Sequence, residues 1–228
     1  MERKGMAQEQ LKLIACITML ADHIGAVFIP GSFLRIIGRI SFPIYCYLLT
    51  EGVCHTGNRS RYGRRLLLGL ILSEIPFDLL FYGKWYWGKQ SVMLTLFVGY
   101  LFCVMASHIP SIAHRMLLLI PFAYVGEQLH VDYGGWGIVM IGMFFLTKDL
   151  PRSRFQQTLW LMAISWMISK ATVTIGVLVL PIQLFAVLAM IPITLYDGRK
   201  ITNNTWIQRF FYWFYPLHLA MLYVMKLL

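Results

Sequence analysis

The chain has 228 residues, of which 58% are hydrophobic and 13% charged, with 20 Lys and Arg against 10 Asp and Glu. A water-soluble domain is typically about 25% charged, so the composition excludes one and points to an integral membrane protein. An aromatic share of 15% excludes a disordered chain, and four cysteines exclude a disulfide-stapled secreted fold. The net charge of +10 fits basic loops lying against anionic headgroups, which leaves no role for nucleic acid.

Apolar runs between charge and turn clusters predict helices near 11–29, 33–51, 65–82, 91–107, 115–130, 134–147, 157–171, 174–195 and 210–227. The first is longer than a signal-peptide core and contains Asp22 and His23, so it is expected to stay in the mature protein. The second carries Arg35 and Arg39 near one end and Glu51 at the other. In the third, Pro76 between Glu74 and Asp78 removes a backbone hydrogen bond and is expected to bend the helix. The fifth and sixth are short, and Lys170 separates the seventh from the eighth. The ninth opens on the aromatic run Phe210–Tyr215 and continues through His218.

These runs predict an all-α, polytopic membrane helix bundle of about nine spans, one domain over residues 1–228, in the plasma (inner) membrane. The basic residues set its orientation. Arg3, Lys4, Arg59, Arg61, Arg64, Arg65, Arg115, Lys148, Arg152, Arg154, Arg199, Lys200 and Arg209 fall on one side, against Lys84, Lys89, Lys170 and Lys226 on the other, which predicts N-terminus in and C-terminus out. Cys16, Cys46, Cys54 and Cys103 lack metal-ligand spacing and read as free, buried thiols, and no metal is expected.

Ionisable side chains within spans are costly and usually face the protein interior. With a rise of about 1.5 Å per residue, His23 stands roughly 18 Å, Glu74 roughly 13 Å and Asp78 roughly 20 Å from the inner boundary. Arg35 and Arg39 lie roughly 3 and 9 Å below the outer boundary, and His218 is roughly 12 Å deep. Arg35 and Arg39 form an i,i+4 pair, as do Glu74 and Asp78, so two cations facing two anions is the expected arrangement, with Asp22 as a third anion. Adjacent residues point about 100° apart, so a carboxylate that orients His23 should come from another helix, not from Asp22.

The stretches LKLIACITMLADHIGAVFIP, LRIIGRISFPIYCYLLTEGVCHT and LILSEIPFDLLFYG, with the final YPLHL, occur in that order. Together they resemble the TraX family of membrane proteins over most of the chain. The resemblance implies a relative of multi-span acyltransferases that carry acyl groups from coenzyme A to extracytoplasmic acceptors; the family's namesake acetylates the N-terminus of a pilin. It implies acetyl-coenzyme A as donor, and it matches His23 to a first-helix histidine used by those enzymes. The acceptor stays open between a pilin-like peptide, a glycan and a lipid.

Under that reading His23 is the general base, and a carboxylate from Glu74 or Asp78 holds its tautomer. Asp22 belongs to the same catalytic set. Arg39, with Arg35, would stabilise the oxyanion formed at the thioester carbonyl. Direct transfer and an acetyl-histidine intermediate both remain open. Arg35, Tyr215 and His218 are assigned to substrate binding, and Arg59, Arg61, Arg64 and Arg65 to the phosphates of the donor. Three rivals use the same residues or none: a proton- or ion-coupled transporter, an intramembrane zinc hydrolase built on Asp22, His23, Asp78 and His218, and a scaffold protein.

Overall fold

The computed structural model describes residues 5–31, 33–169, 171–175, 178–202 and 204–228. The expectations for Arg3, Lys4 and Lys170 lie outside the described residues. Helices dominate, as the apolar runs predict: α1 (Gln8–Val27), α2 (Leu34–Gly38), α3 (Ser41–His55), α4 (Arg59–Tyr82), α5 (Val92–Ala106), α6 (Ile112–Gln128), α7 (Gly134–Thr147), α8 (Ser153–Ile168), α9 (Met190–Leu195) and α10 (Thr205–Leu227). Local chemistry sets several ends. The Gln10 side chain accepts from Ala7 N–H at 2.9 Å at the start of α1. Asn58 Oδ1 caps α4 by accepting from Arg61 N–H at 2.8 Å, and Gly83 ends that helix at φ 69°, where a glycine has no steric penalty.

Two expected helices come out differently. The run 33–51 is broken between Gly38 and Ser41 into α2 and α3. Pro43, in the first turn of α3, has no N–H to donate to the carbonyl of Arg39, so one rung of the helical ladder is missing at this point. The run 174–195 is not one helix. Strands β1 (Thr172–Ile175) and β2 (Leu178–Pro181) pair antiparallel with Val173 opposite Leu180. A 3-10 helix (Ile182–Ala189) and α9 follow. The β-branched residues Thr172, Val173, Thr174 and Val179 favour extended backbone, and a continuous apolar run carries no period that would separate strand from helix. In α4 the helix continues through Pro76.

The chain divides into two compact units. The first comprises residues up to Tyr45 and Arg154–Phe214. In it α2 packs on α1 and on the 3-10 helix, which also contacts β2 and α9. The second comprises Cys46–Ser153 and Tyr215–Leu228. There α5 packs against α4, α6 and α7, and α6 against α7. Glycines set those distances. A Cβ on Gly99 or Gly142 would run into Ile141 or Leu119, and one on Gly135 would meet the backbone carbonyl of Ala123. Phe102 fills the remaining space, edge-on to Phe122 and Phe145 at ring separations of 5.8 and 6.2 Å.

Among the described residues, only α1 is both long and apolar enough to cross a membrane by length and composition; the apolar segments Val92–Ala106, Gly134–Thr147 and Ile182–Leu195 are shorter. Three of the four cysteines are free and buried as expected, whereas Cys54 is partly exposed and faces Lys148 Nζ at 2.9 Å. A flexible side chain can move away from a new methyl group, but a backbone carbonyl cannot. Gly135→Ala is therefore expected to force α6 and α7 apart at a cost of about 1–3 kcal/mol, read as a lowered thermal midpoint in detergent. An unchanged midpoint would refute this close helix contact.

Candidate active site

In the first unit the last turn of α1 presents Asp22 and His23, and α2 with its C-cap presents Arg35 and Arg39. The i,i+4 spacing turns both guanidiniums to one face, and that face is packed on α1. Arg35 donates to Asp22 Oδ2 at 2.8 Å and to the Asp22 backbone carbonyl at 3.2 Å. Arg39 donates through Nη2 to Asp22 Oδ1, through Nε to the Arg35 carbonyl at 3.1 Å, and through Nη1 to Gln183 Oε1 at 3.2 Å. Gly38 makes this approach possible, because a Cβ there would occupy the position of the Asp22 carboxylate. The Arg39 and Asp22 side chains are only 11% and 14% exposed. Two guanidiniums share one carboxylate, so the cluster keeps one unit of positive charge, and His23 stands within electrostatic reach of both arginines.

Gln183 was not foreseen, since a search for ionisable residues passes over an amide. The signal available was a single Gln in the apolar run PIQLFAV. It opens the 3-10 helix and is buried, with its carbonyl on Arg39 and its amide nitrogen Nε2 without a hydrogen-bond partner. A buried donor left unpaired costs about 1–3 kcal/mol.

The second unit holds another polar cluster. Ser91 Oγ donates to Glu74 Oε1 at 2.7 Å, and Ser91 N–H lies 3.3 Å from both carboxylate oxygens. Tyr215, hydrogen-bonded to the Ser91 side chain and the Val92 backbone, rests edge-on to His218 at 5.4 Å. Asp78 Oδ2 accepts from Tyr86 N–H at 3.1 Å, and its buried Oδ1 has no hydrogen-bond partner. Glu74, Tyr215 and His218 are thus joined through Ser91.

The arrangement of charges corrects one expectation. Arg35 and Arg39 were to face Glu74 and Asp78, but the carboxylate that holds both is Asp22, while Glu74 and Asp78 are held by Ser91 and by the backbone of Tyr86. The cause is the break after Gly38, which lets the short α2 lie on α1 and bring its arginines to the nearest acid. Among the described residues no three His, Cys, Asp or Glu side chains are placed to hold a metal ion.

The basic positions open α4. Arg59 donates to Ser107 Oγ at 2.7 Å and its carbonyl accepts from the Tyr100 hydroxyl at 2.8 Å, so it is tied into the fold. Arg61, Arg64 and Arg65 are exposed, and Arg65 lies over the Tyr62 ring at 5.8 Å. No acid occupies the first turn, so these cations stand at the positive end of the helix, where an anion is favoured.

The TraX protein family model matches residues 7–226. The chain belongs to the TraX family. It is also 28% identical, over 93% of either sequence, to a probable fimbrial assembly protein FimC of serogroup H1 from Dichelobacter nodosus. No solved structure matches.

In this TraX-family chain the carboxylate of Asp22 is, among the described residues, the counter-charge of Arg35. Asp22→Asn leaves two guanidiniums facing a neutral amide and is expected to cost about 3 kcal/mol, lowering the thermal midpoint. Adding Arg35→Met should recover part of that loss, because it removes one of the stranded charges. Independent, additive effects of the two substitutions would show that no such coupling exists.

Proposed function

We propose that the chain is a multi-pass inner-membrane acyltransferase, N-terminus in and C-terminus out. On this reading it moves an acyl group from cytoplasmic acyl-coenzyme A to an amine or hydroxyl of an acceptor reached from the outer side. The relative's name as a probable fimbrial assembly protein favours a pilin-like peptide as that acceptor. The observation that carries the reading is the surplus positive charge of the Asp22, Arg35 and Arg39 cluster directly beside His23.

The membrane reading draws support from apolar side chains turned outward along whole helix faces. Leu68, Ile71 and Ile75 on α4, Leu117 and Ile120 on α6, and Leu217 and Val224 on α10 are each more than half exposed. Faces of that kind are rare on proteins surrounded by water and normal on proteins surrounded by lipid.

In the transfer the acceptor nitrogen or oxygen attacks the thioester carbonyl carbon, and His23 takes the proton it sheds. The carbonyl π electrons move to oxygen, giving an oxyanion that the surplus guanidinium charge stabilises. When the carbonyl reforms, the carbon–sulfur pair leaves with sulfur, and the proton held by His23 goes to the departing thiolate. Asp22 anchors the arginines in this scheme, because both of its carboxylate oxygens are already engaged. Within the second unit, Glu74, Asp78, Tyr215 and His218 are proposed as acceptor-binding residues. Exposed Arg61, Arg64 and Arg65 supply the phosphate contacts of the donor, with Arg59 as their structural base.

Membranes containing the chain, given labelled acetyl-coenzyme A from the inner side, should release coenzyme A and label an acceptor whose mass identifies it. His23→Ala is expected to reduce kcat by about 100-fold or more while the protein remains inserted. Full transfer by that variant would remove the proposed base, and an absolute requirement for an ion gradient would favour transport instead.

Arg61, Arg64 and Arg65 changed together to Glu should raise KM for the donor by at least about tenfold and alter kcat little, the pattern for lost ground-state binding. An unchanged KM would leave these three as topology signals alone.

A further inference from the structure

We infer that Gln183 contacts the donor half of the substrate, its carboxamide NH2 donating to the acyl carbonyl oxygen and to the oxyanion that oxygen becomes. This rests on the proposed acyltransferase reading and assigns one end of the substrate to one face of the cluster. The orientation of the amide follows from its neighbour. A guanidinium can only donate, so Arg39 Nη1 requires Oε1 of Gln183 as its acceptor, and the NH2 group must face the other way. There Nε2 is buried and unpartnered.

The missing partner must be an acceptor, since Nε2 only donates. It must also tolerate the positive charge left over when Arg35 and Arg39 share Asp22. A cationic ammonium group fails on both counts. A carbonyl oxygen satisfies both, and gains from them as negative charge develops on it. A protonated amine acceptor is therefore excluded from this face of the cluster, and the thioester carbonyl, on which negative charge develops, fits it best. Gln183 would act with Arg39 as a two-donor cradle in which Arg39 holds the amide and the amide holds the substrate.

Gln183→Glu separates this role from a purely structural one. It keeps an oxygen for Arg39 to bind and takes away the NH2. The expected result is a folded protein with kcat reduced about 100-fold and KM for donor changed far less. Activity relative to the parent chain should rise as pH falls, because a protonated carboxylic acid regains a donor. Gln183→Met, which has neither donor nor acceptor, should lose activity at every pH, and it serves as the test where the Glu variant does not accumulate. Activity equal to the parent chain in either folded variant would overturn the inference and leave the acyltransferase reading standing. A parent chain that neither binds nor consumes acetyl-coenzyme A would overturn both.

Discussion

A charge placed among apolar side chains needs a partner, and around Asp22 the arithmetic leaves little freedom. One carboxylate faces two guanidiniums, each reached through a different oxygen. Removing the acid strands two cations; removing one arginine leaves a balanced pair. The local backbone follows from this requirement. Pro43 removes one rung of the ladder, Gly38 admits the carboxylate, and α2 is short enough to lie on α1 with both arginines turned inward. Had the run 33–51 continued as a single helix, no break would have freed this short segment to fold onto the acid.

The second unit is held together by a different device. Its helices carry apolar residues on outward as well as inward faces, so burial of apolar surface distinguishes poorly between one packing and another. Contact distance does so instead. Gly99, Gly135 and Gly142 bring α5, α6 and α7 close enough that a methyl group would not fit, and Phe102 fills what the glycines leave. Polar ties add direction: Ser91 holds Glu74 and Tyr215, and Lys226 Nζ donates to the Leu80 carbonyl at 2.8 Å. Shape is set by small residues, and the positions of the acids by hydroxyls and backbone amides.

Much of this was legible in the chain. Run lengths between charge clusters located α1, α4, α5, α6, α7 and α10 to within a few residues, and α7 at both ends. Hydropathy failed where two kinds of information were absent from it. It does not register a missing N–H, so it ran through Pro43; it does not register β-branching, so it read β2 and the end of β1 as part of a helix over 174–195. The candidate residues were found because ionisable groups in apolar runs are conspicuous, yet their pairing was not. Charge complementarity of two i,i+4 pairs points to Glu74 with Asp78 as partners of the two arginines, and only the folded backbone shows that both go to the single acid Asp22. Gln183 lay in plain view but carries no charge.

The pairing also narrows the chemistry. An acid whose two oxygens each accept from a guanidinium is fixed as their counter-charge, so on the proposed reading Asp22 works as an anchor. On the proposed acyltransferase reading, His23, one residue on and about 100° around the helix, is the group beside the cluster that takes and returns the proton. The two neighbours then differ in kind. On the proposed reading one fixes the positive charge in place, and the other moves a proton past it. Such a division suits a reaction in which negative charge appears on an oxygen while a proton leaves a nitrogen, and it gives no help to a reaction that must gather positive charge at the same place.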